Sequence, residues 1–330
     1  MLLSFSVENW MSFRDKTSFS MNASKERQHN ERIPKIRKFD AKVLPISAIF
    51  GGNASGKTNL IRALGFLKNL VVNGTEIDRL IPVQPYLLNP ANFDRPSRFC
   101  IELLVDEIIY EFSVVASKSA IVKEKLVKVT SATKKLLYDR TLQSYKFGAK
   151  LKGDKFLEHV SKGTRSNQLF LTNSISQNEE KLRPVYDWFR DSLEVIGPES
   201  RFELFKPNSD GTRHLYDNMS KMLTKLDTGI SQLRPEQIPF EHLPFSEQVK
   251  LEILQDLEEG HSGRISLGNN RQQFEVSRKK GELIVSRIVA IHSGEDGADV
   301  KFDLHQESDG SQRLFELLPA FRDISATNSK

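Results

Sequence analysis

Phe50-Gly51-Gly52-Asn53-Ala54-Ser55-Gly56-Lys57-Thr58-Asn59 decides how the rest of this sequence is read. It fits G-x-x-x-x-G-K-[ST], a loop whose backbone N–H groups wrap phosphates. Gly51, Gly52 and Gly56 supply the conformational freedom that such wrapping needs. In that pattern Lys57 reaches the terminal phosphates of ATP, and the Thr58 hydroxyl ligates Mg²⁺. The flanks agree. Val43–Phe50 is a short apolar run with the character of a buried strand, and Asn59–Leu67 places Leu60, Leu64 and Leu67 on one helical face. A strand, a glycine loop and a helix start would bring the helix dipole and its free N–H groups to the phosphates. The site residues read from this motif are Gly51, Gly52, Asn53, Ala54, Ser55, Gly56, Lys57, Thr58 and Asn59.

Composition sets the outer limits. The chain has 330 residues, 38% of them hydrophobic and 28% charged, as expected of a water-soluble globular protein of two domains or of one with a large insertion. No run approaches the ~18 apolar residues of a membrane span, so no membrane partner is expected. Cys100 is the single cysteine, which excludes an intrachain disulfide and suits a reducing cytoplasm. The net charge of +5 is mild. Clusters such as Arg32–Lys38, Lys118–Lys135 and Arg278-Lys279-Lys280 could touch nucleic acid, but solvated faces and turns explain them as well.

Along the chain, residues 2–8 and 17–21 alternate like two strands joined by a turn over Asn9–Lys16. The segment 22–40 is polar, basic and broken by Pro34, a loop or flap. After Asn73-Gly74, four prolines between residues 82 and 96 predict a long irregular connection. Phe99–Val105 and Ile108–Ala116 then form strands around Asp106-Glu107, opening a β-rich lobe that runs to about residue 172. From 176 to 260 the pattern is helical. Candidate helices lie at Glu179–Val195, at Thr212–Leu226 with Leu215, Met219, Met222 and Leu226 in a stripe, and from Ser246 to Gly260. Strands return at 264–268, 272–277, 282–291 and 300–305, followed by a helix capped by Ser308. The expected fold class is α/β of the P-loop NTPase type. Its divisions are 1–175 (ATPase lobe with P-loop and β-rich part), 176–262 (helical insertion) and 263–330 (C-terminal lobe).

Glu307-Ser308-Asp309-Gly310-Ser311-Gln312-Arg313-Leu314 is a second place where hydroxyls, free N–H groups and a helix start point one way. Alone, it reads equally as a helix cap. Its order after Asn9-Trp10-Met11-Ser12-Phe13-Arg14 and the P-loop is more telling. Together these stretches resemble the ABC/SMC-like head of a bacterial AAA-type ATPase family found in abortive-infection, retron-associated and other phage-defence systems. The resemblance implies that Ser308, Gly310 and Ser311 act in trans, binding the γ-phosphate of ATP held by a partner subunit in a homo-oligomer. It implies that Arg14 approaches nucleotide, and that Gln177, after a strand at Gln168–Thr172, contacts Mg²⁺ or water. It also implies an associated effector protein, a nuclease or toxin. Glu307 departs from the leucine common at that position, and Ser311 from the usual Gln or Glu.

The same resemblance calls for a strand ending in Asp-Glu after the Ser308 helix. None is found before Lys330, so the sequence is expected to be part of a longer chain and the catalytic carboxylates stay unassigned. Ile101–Glu107 imitates such a strand, but it precedes the Ser308 turn and runs on as a hairpin would. Three functions compete: an ATPase whose paired heads gate an effector, a DNA-repair head of the SMC/RecF kind, and a scaffold that binds ATP without hydrolysing it. Residues 176–260 are too short and too broken by proline for a long coiled coil, which weighs against an SMC arm.

Overall fold

The computed structural model describes residues 1–24, 30–131, 133–197, 212–267 and 272–326. Two compact units emerge, residues 1–196 and 197–330, where the sequence pattern suggested divisions at 175 and 262. Each is described by itself.

The first unit is built on a seven-stranded sheet in the order β2-β1-β5-β6-β7-β8-β9. These strands are β1 (Leu2–Glu8), β2 (Thr17–Ser20), β5 (Ser97–Val105), β6 (Ile108–Ala116), β7 (Ile121–Val129), β8 (Lys134–Thr141) and β9 (Ser144–Phe147). Alternation places Leu3, Phe5 and Val7 of β1 in the core, as a sheet with one buried face requires. Asp106 and Glu107 join β5 to β6 at φ values of 46° and 57°, the left-handed pair of a two-residue hairpin turn. The Asp-Glu strand look-alike is therefore a hairpin.

Helix α1 (Lys57–Val72) buries Leu60, Ala63, Leu64, Leu67, Leu70 and Val71 in the core that holds Phe5, Val7 and Phe99. Trp10, Phe66 and Phe99 form an aromatic cluster with centroids 4.8–5.2 Å apart. The expected strand at Val43–Phe50 does not form. Short strands β3 (Lys35–Ile36) and β4 (Ala41–Lys42) pair with each other, Val43 bridges to Asn22, and the Leu44 amide donates to Met21 at 2.7 Å. Beyond that, Ile46 is 81% and Phe50 91% exposed. A buried strand needs neighbours on both edges, and among the described residues no strand pairs with 46–50.

The β-rich lobe also ends sooner than its composition suggested. Helices α2 (Lys155–Gly163), α3 (Phe170–Ser176) and α4 (Arg183–Asp187, continued by a π turn over Trp188–Ser192) close the unit. The predicted strand Gln168–Thr172 is thus the start of α3, because the fully buried carboxylate of Glu124 holds that helix end. It accepts hydrogen bonds from the Phe170 and Leu171 amides at 2.6 and 2.9 Å and from the Tyr138 hydroxyl at 2.8 Å. Burial pushes the Glu124 carboxyl up, while the Arg140 guanidinium at 3.6 Å and the two amides oppose that shift. Arg140, equally buried, donates to the carbonyls of Leu142, Gln168 and Arg165.

The second unit centres on the long strand β13 (Glu282–Ser293). β10 (Ile230–Ile238) lies along one edge; β12 (Gln272–Lys279) and then β14 (Asp299–Asp303) share the other, with β11 (Ser262–Leu267) outside β12. Thus the expected helical insertion over 176–262 contains a strand, β10, beside α5 (Thr212–Lys225) and α6 (Glu247–Asp256). The buried stripe of α5 is Tyr216, Met219, Ser220 and Leu223, with Leu226 half exposed, because the helix turns this face to Ile230, Leu233 and Ile288. Helix α7 (Asp309–Ala326) adds Phe315 and Leu318 to that core.

Replacing Arg140 with Met strands Glu124 as an uncompensated buried charge. Chemical denaturation of Arg140→Met should show a loss of about 3–5 kcal/mol, partly recovered in the Glu124→Gln/Arg140→Met double variant. Cys100, on β5, is held up to about 11 by burial and then by Glu111 and Glu102. Its alkylation should be slow at pH 8 and rise about tenfold per pH unit up to that value, because only the thiolate reacts.

Candidate nucleotide-binding site

Helix α1 opens on Gly56, whose φ of 96° only glycine adopts without strain. Ala54 is also left-handed at 61°, and Ser55 between them is not. Such an alternation of backbone hand is the pattern from which anion-binding nests are built. Gly51 is tightly approached as well, since a Cβ there would lie 2.6 Å from the Ser55 hydroxyl. Across this ring the Lys57 ammonium donates to the carbonyls of Gly51 and Gly52, 2.7 Å each. No acidic residue stands in the first turn of α1, so the field there is positive throughout. Asn53, Ser55 and Thr58 line the exposed rim beside it. The Lys57 ammonium thus closes the loop on its own carbonyls.

What braces the loop is the turn between β1 and β2. A Cβ on Gly56 would meet the Ser12 hydroxyl at 2.7 Å and the Phe13 ring at 3.1 Å. The Asn59 amide donates to the Ser12 hydroxyl at 3.1 Å, and the Trp10 indole donates to the Asn59 carbonyl at 3.2 Å. Asn9 organises the turn from below. Fully buried and left-handed at 52°, it donates to the carbonyls of Asn92 and Arg95 and accepts from the Tyr86 amide and the Asn92 side chain. The proline-rich connection is thereby tied to the same turn that holds the P-loop. Arg14 lies in this turn with its guanidinium on Asp15 at 2.9–3.0 Å, a hydrogen bond and charge that raise its already high pKa.

In the second unit, the Ser308 hydroxyl accepts the Ser311 amide at 3.1 Å and lies 3.0 Å from the Ser311 hydroxyl. The Ser308 turn is therefore a true helix cap. Gly310 is exposed, and a Cβ there would touch nothing nearer than the Ser308 hydroxyl at 3.7 Å. Glu307 finds its reason here. Its carboxylate meets the His292 ring Nε2 at 2.7 Å, joining the turn to β13 where a leucine could not. Gln177, by contrast, is the C-cap of α3, its amide donating to the Asn173 and Ser174 carbonyls, and it follows a helix rather than a strand. Among the described residues no group of three or more His, Cys, Asp or Glu side chains could hold a metal ion by itself.

The family described as "AAA domain, putative AbiEii toxin, Type IV TA system" matches residues 46–324. The chain belongs to this family. The match spans both units and so takes in the P-loop and the Ser308 turn alike. No curated protein matches the chain. No helix among the described residues is long and apolar enough to cross a membrane.

The bracing turn at residues 9–16 lies before the matched region of this AAA domain, and the P-loop pattern itself points to none of its residues. The available signal was Asn9-Trp10, a left-handed-prone residue and an indole at a strand end; nothing in the sequence says that Ser12 meets Gly56. Gly56→Ala should lose about 1–2 kcal/mol from its backbone conformation alone. Thermal unfolding should show that loss, and titration with a fluorescent ATP analogue should show weakened binding. Ser12→Ala should keep the fold while loosening the loop.

Proposed function

We propose that this chain is an ATPase whose ATP-bound heads pair, each nucleotide lying between the Lys57 loop of one subunit and the Ser308 turn of the other. The observation that carries this reading is the Lys57 ammonium resting on the Gly51 and Gly52 carbonyls at the start of α1. Phosphate oxygens of ATP offer that ammonium stronger, charged acceptors. Lys57 then moves from the loop to the terminal phosphates, and the amides of residues 52–58 take the oxygens between. Thr58, at the rim, holds Mg²⁺ through its hydroxyl, and the ion offsets charge on the β- and γ-phosphates. Asn59, anchored to Ser12 and Trp10, keeps the helix start in place as this exchange occurs.

The Ser308 turn supports the two-subunit arrangement. Among the described residues of its unit nothing demands glycine at Gly310, whereas close approach of an outside phosphate would. The turn resembles the P-loop in chemistry: serine hydroxyls, free amides and a helix start in α7. Membership of a family whose description names an AbiEii toxin and a toxin–antitoxin system supports a role in which head pairing gates a toxin or nuclease partner during phage infection. ATP hydrolysis resets the pair.

Two measurements test this. Lys57→Ala should weaken binding of a fluorescent ATP analogue by about 10–100-fold, the worth of a charge-assisted hydrogen bond; unchanged affinity would sink the proposal. For the trans arrangement, Lys57→Ala and Gly310→Glu subunits should each fail to associate with ATP and Mg²⁺ in light scattering. Mixed together they should pair, because one of the two shared sites then carries neither change. If the mixture behaves like the separate variants, the Ser308 turn does not act across subunits.

A further inference from the structure

Four lysines from distant parts of the first unit meet at one end of the β7–β8 ladder. Lys128 of β7 lies directly opposite Lys135 of β8. Directly opposed side chains in an antiparallel pair stand about 5 Å apart, and like charges there are destabilising. Lys128 is also opposite Tyr110 of β6. Its stem lies half buried, with the ammonium 6.0 Å from the tyrosine ring centroid. Partial burial lowers the Lys128 pKa, and then the positive charges of Lys150, Lys38 and Lys135 lower it further.

Lys150 is brought there by Gly148. That glycine packs so closely on β8 that a Cβ would fall 1.7 Å from the Leu136 carbonyl, and its amide donates to Leu137 at 2.8 Å. Lys38 comes from the short helical turn Arg37–Phe39 after β3. On the opposite face of these strands Glu111 pairs with Lys134 at 2.8 Å and Asp139 with Lys123 at 3.6 Å, so neither carboxylate serves the four, and Asp106 acts on Tyr110 without forming an ion pair among the described residues. Among the described residues, none of the four is ion-paired.

A sheet that gathers like charges and leaves them unneutralised departs from local stability, and such departures mark contact with an outside partner. The partner must be a polyanion with charges spaced several ångströms apart. Among the described residues none of the exposed large apolar side chains adjoins the four lysines in sequence or register, so the patch lacks the anchors of a lipid-binding surface. Tyr110 is buried, so no base can stack on it. We propose that Lys38, Lys128, Lys135 and Lys150 form a nucleic-acid-binding surface that holds the sugar–phosphate backbone without reading sequence. None of the four lysines belongs to the P-loop motif, and the proposal does not rest on the nucleotide reading.

Fluorescence anisotropy of a labelled 20-base-pair duplex of arbitrary sequence, titrated between 50 and 200 mM NaCl, tests it. Non-specific binding should appear at roughly 10⁻⁶–10⁻⁴ M, with log K falling against log[salt] at a slope of about −3 for three to four phosphate contacts. The Lys135→Glu/Lys150→Glu variant should lose at least about tenfold in affinity, with the slope reduced by about two. The double variant should still bind the ATP analogue normally, which shows that it is folded. Equal duplex binding by the double variant overturns the proposal. So does absence of binding to both duplex and single strand at 50 mM NaCl, or capture by phosphatidylserine vesicles alone.

Discussion

The close approach of the β1–β2 turn to Gly56 is the contact on which the candidate site depends. There is room for a hydrogen and not for a methyl between the start of α1 and the Ser12 hydroxyl. Because Trp10 and Asn59 lock the same approach from the side, the P-loop is not a free loop on a helix. It is one wall of a joint whose other wall is the N-terminal hairpin. Asn9 carries the constraint further, fastening residues 86–97 to that hairpin through its side-chain amide and its carbonyl. A buried asparagine with all its donors and acceptors met is rigid, since any shift would leave polar atoms unsatisfied away from water.

A second constraint of the same kind holds the far side of the first unit. Glu124 gathers the end of α3, Tyr138 and Arg140 around one desolvated carboxylate. Such a cluster contributes little net stability compared with apolar packing, but it tolerates only one arrangement. It sets where α3 begins, and hence why the polar run ending at Gln177 is a helix end. The lysine row on β7 and β8 has the opposite character: uncompensated charge at the surface, supported by rigid strands beneath.

The departures from sequence expectation share a cause. Val43–Phe50 has the composition of a buried strand, yet Ile46 and Phe50 face outward, because burial is decided by neighbours that the segment does not itself encode. Gln168–Thr172 has strand-like residues, and a carboxylate 44 or more positions earlier in the chain makes it a helix. The stripe on α5 is rotated toward Tyr216 and Leu223 for the same reason: the helix period is local, but the face that is buried depends on β10 and β13. By contrast the β5–β6 hairpin, the Ser246 and Ser308 caps and the α1 stripe were legible, since each depends on atoms within a few residues.

The chain on its own determined the glycine loop at the start of α1, its lysine and hydroxyl, and the serine turn near the end, because glycine freedom, capping and helix dipoles act over one or two turns of backbone. Only the tertiary structure decided that Ser12 and Trp10 shape that loop, that Glu307 is held by His292, and that Lys38, Lys128, Lys135 and Lys150 stand together. Those outcomes rest on strand register and close packing between segments up to about a hundred residues apart, and no local pattern of residue types specifies them.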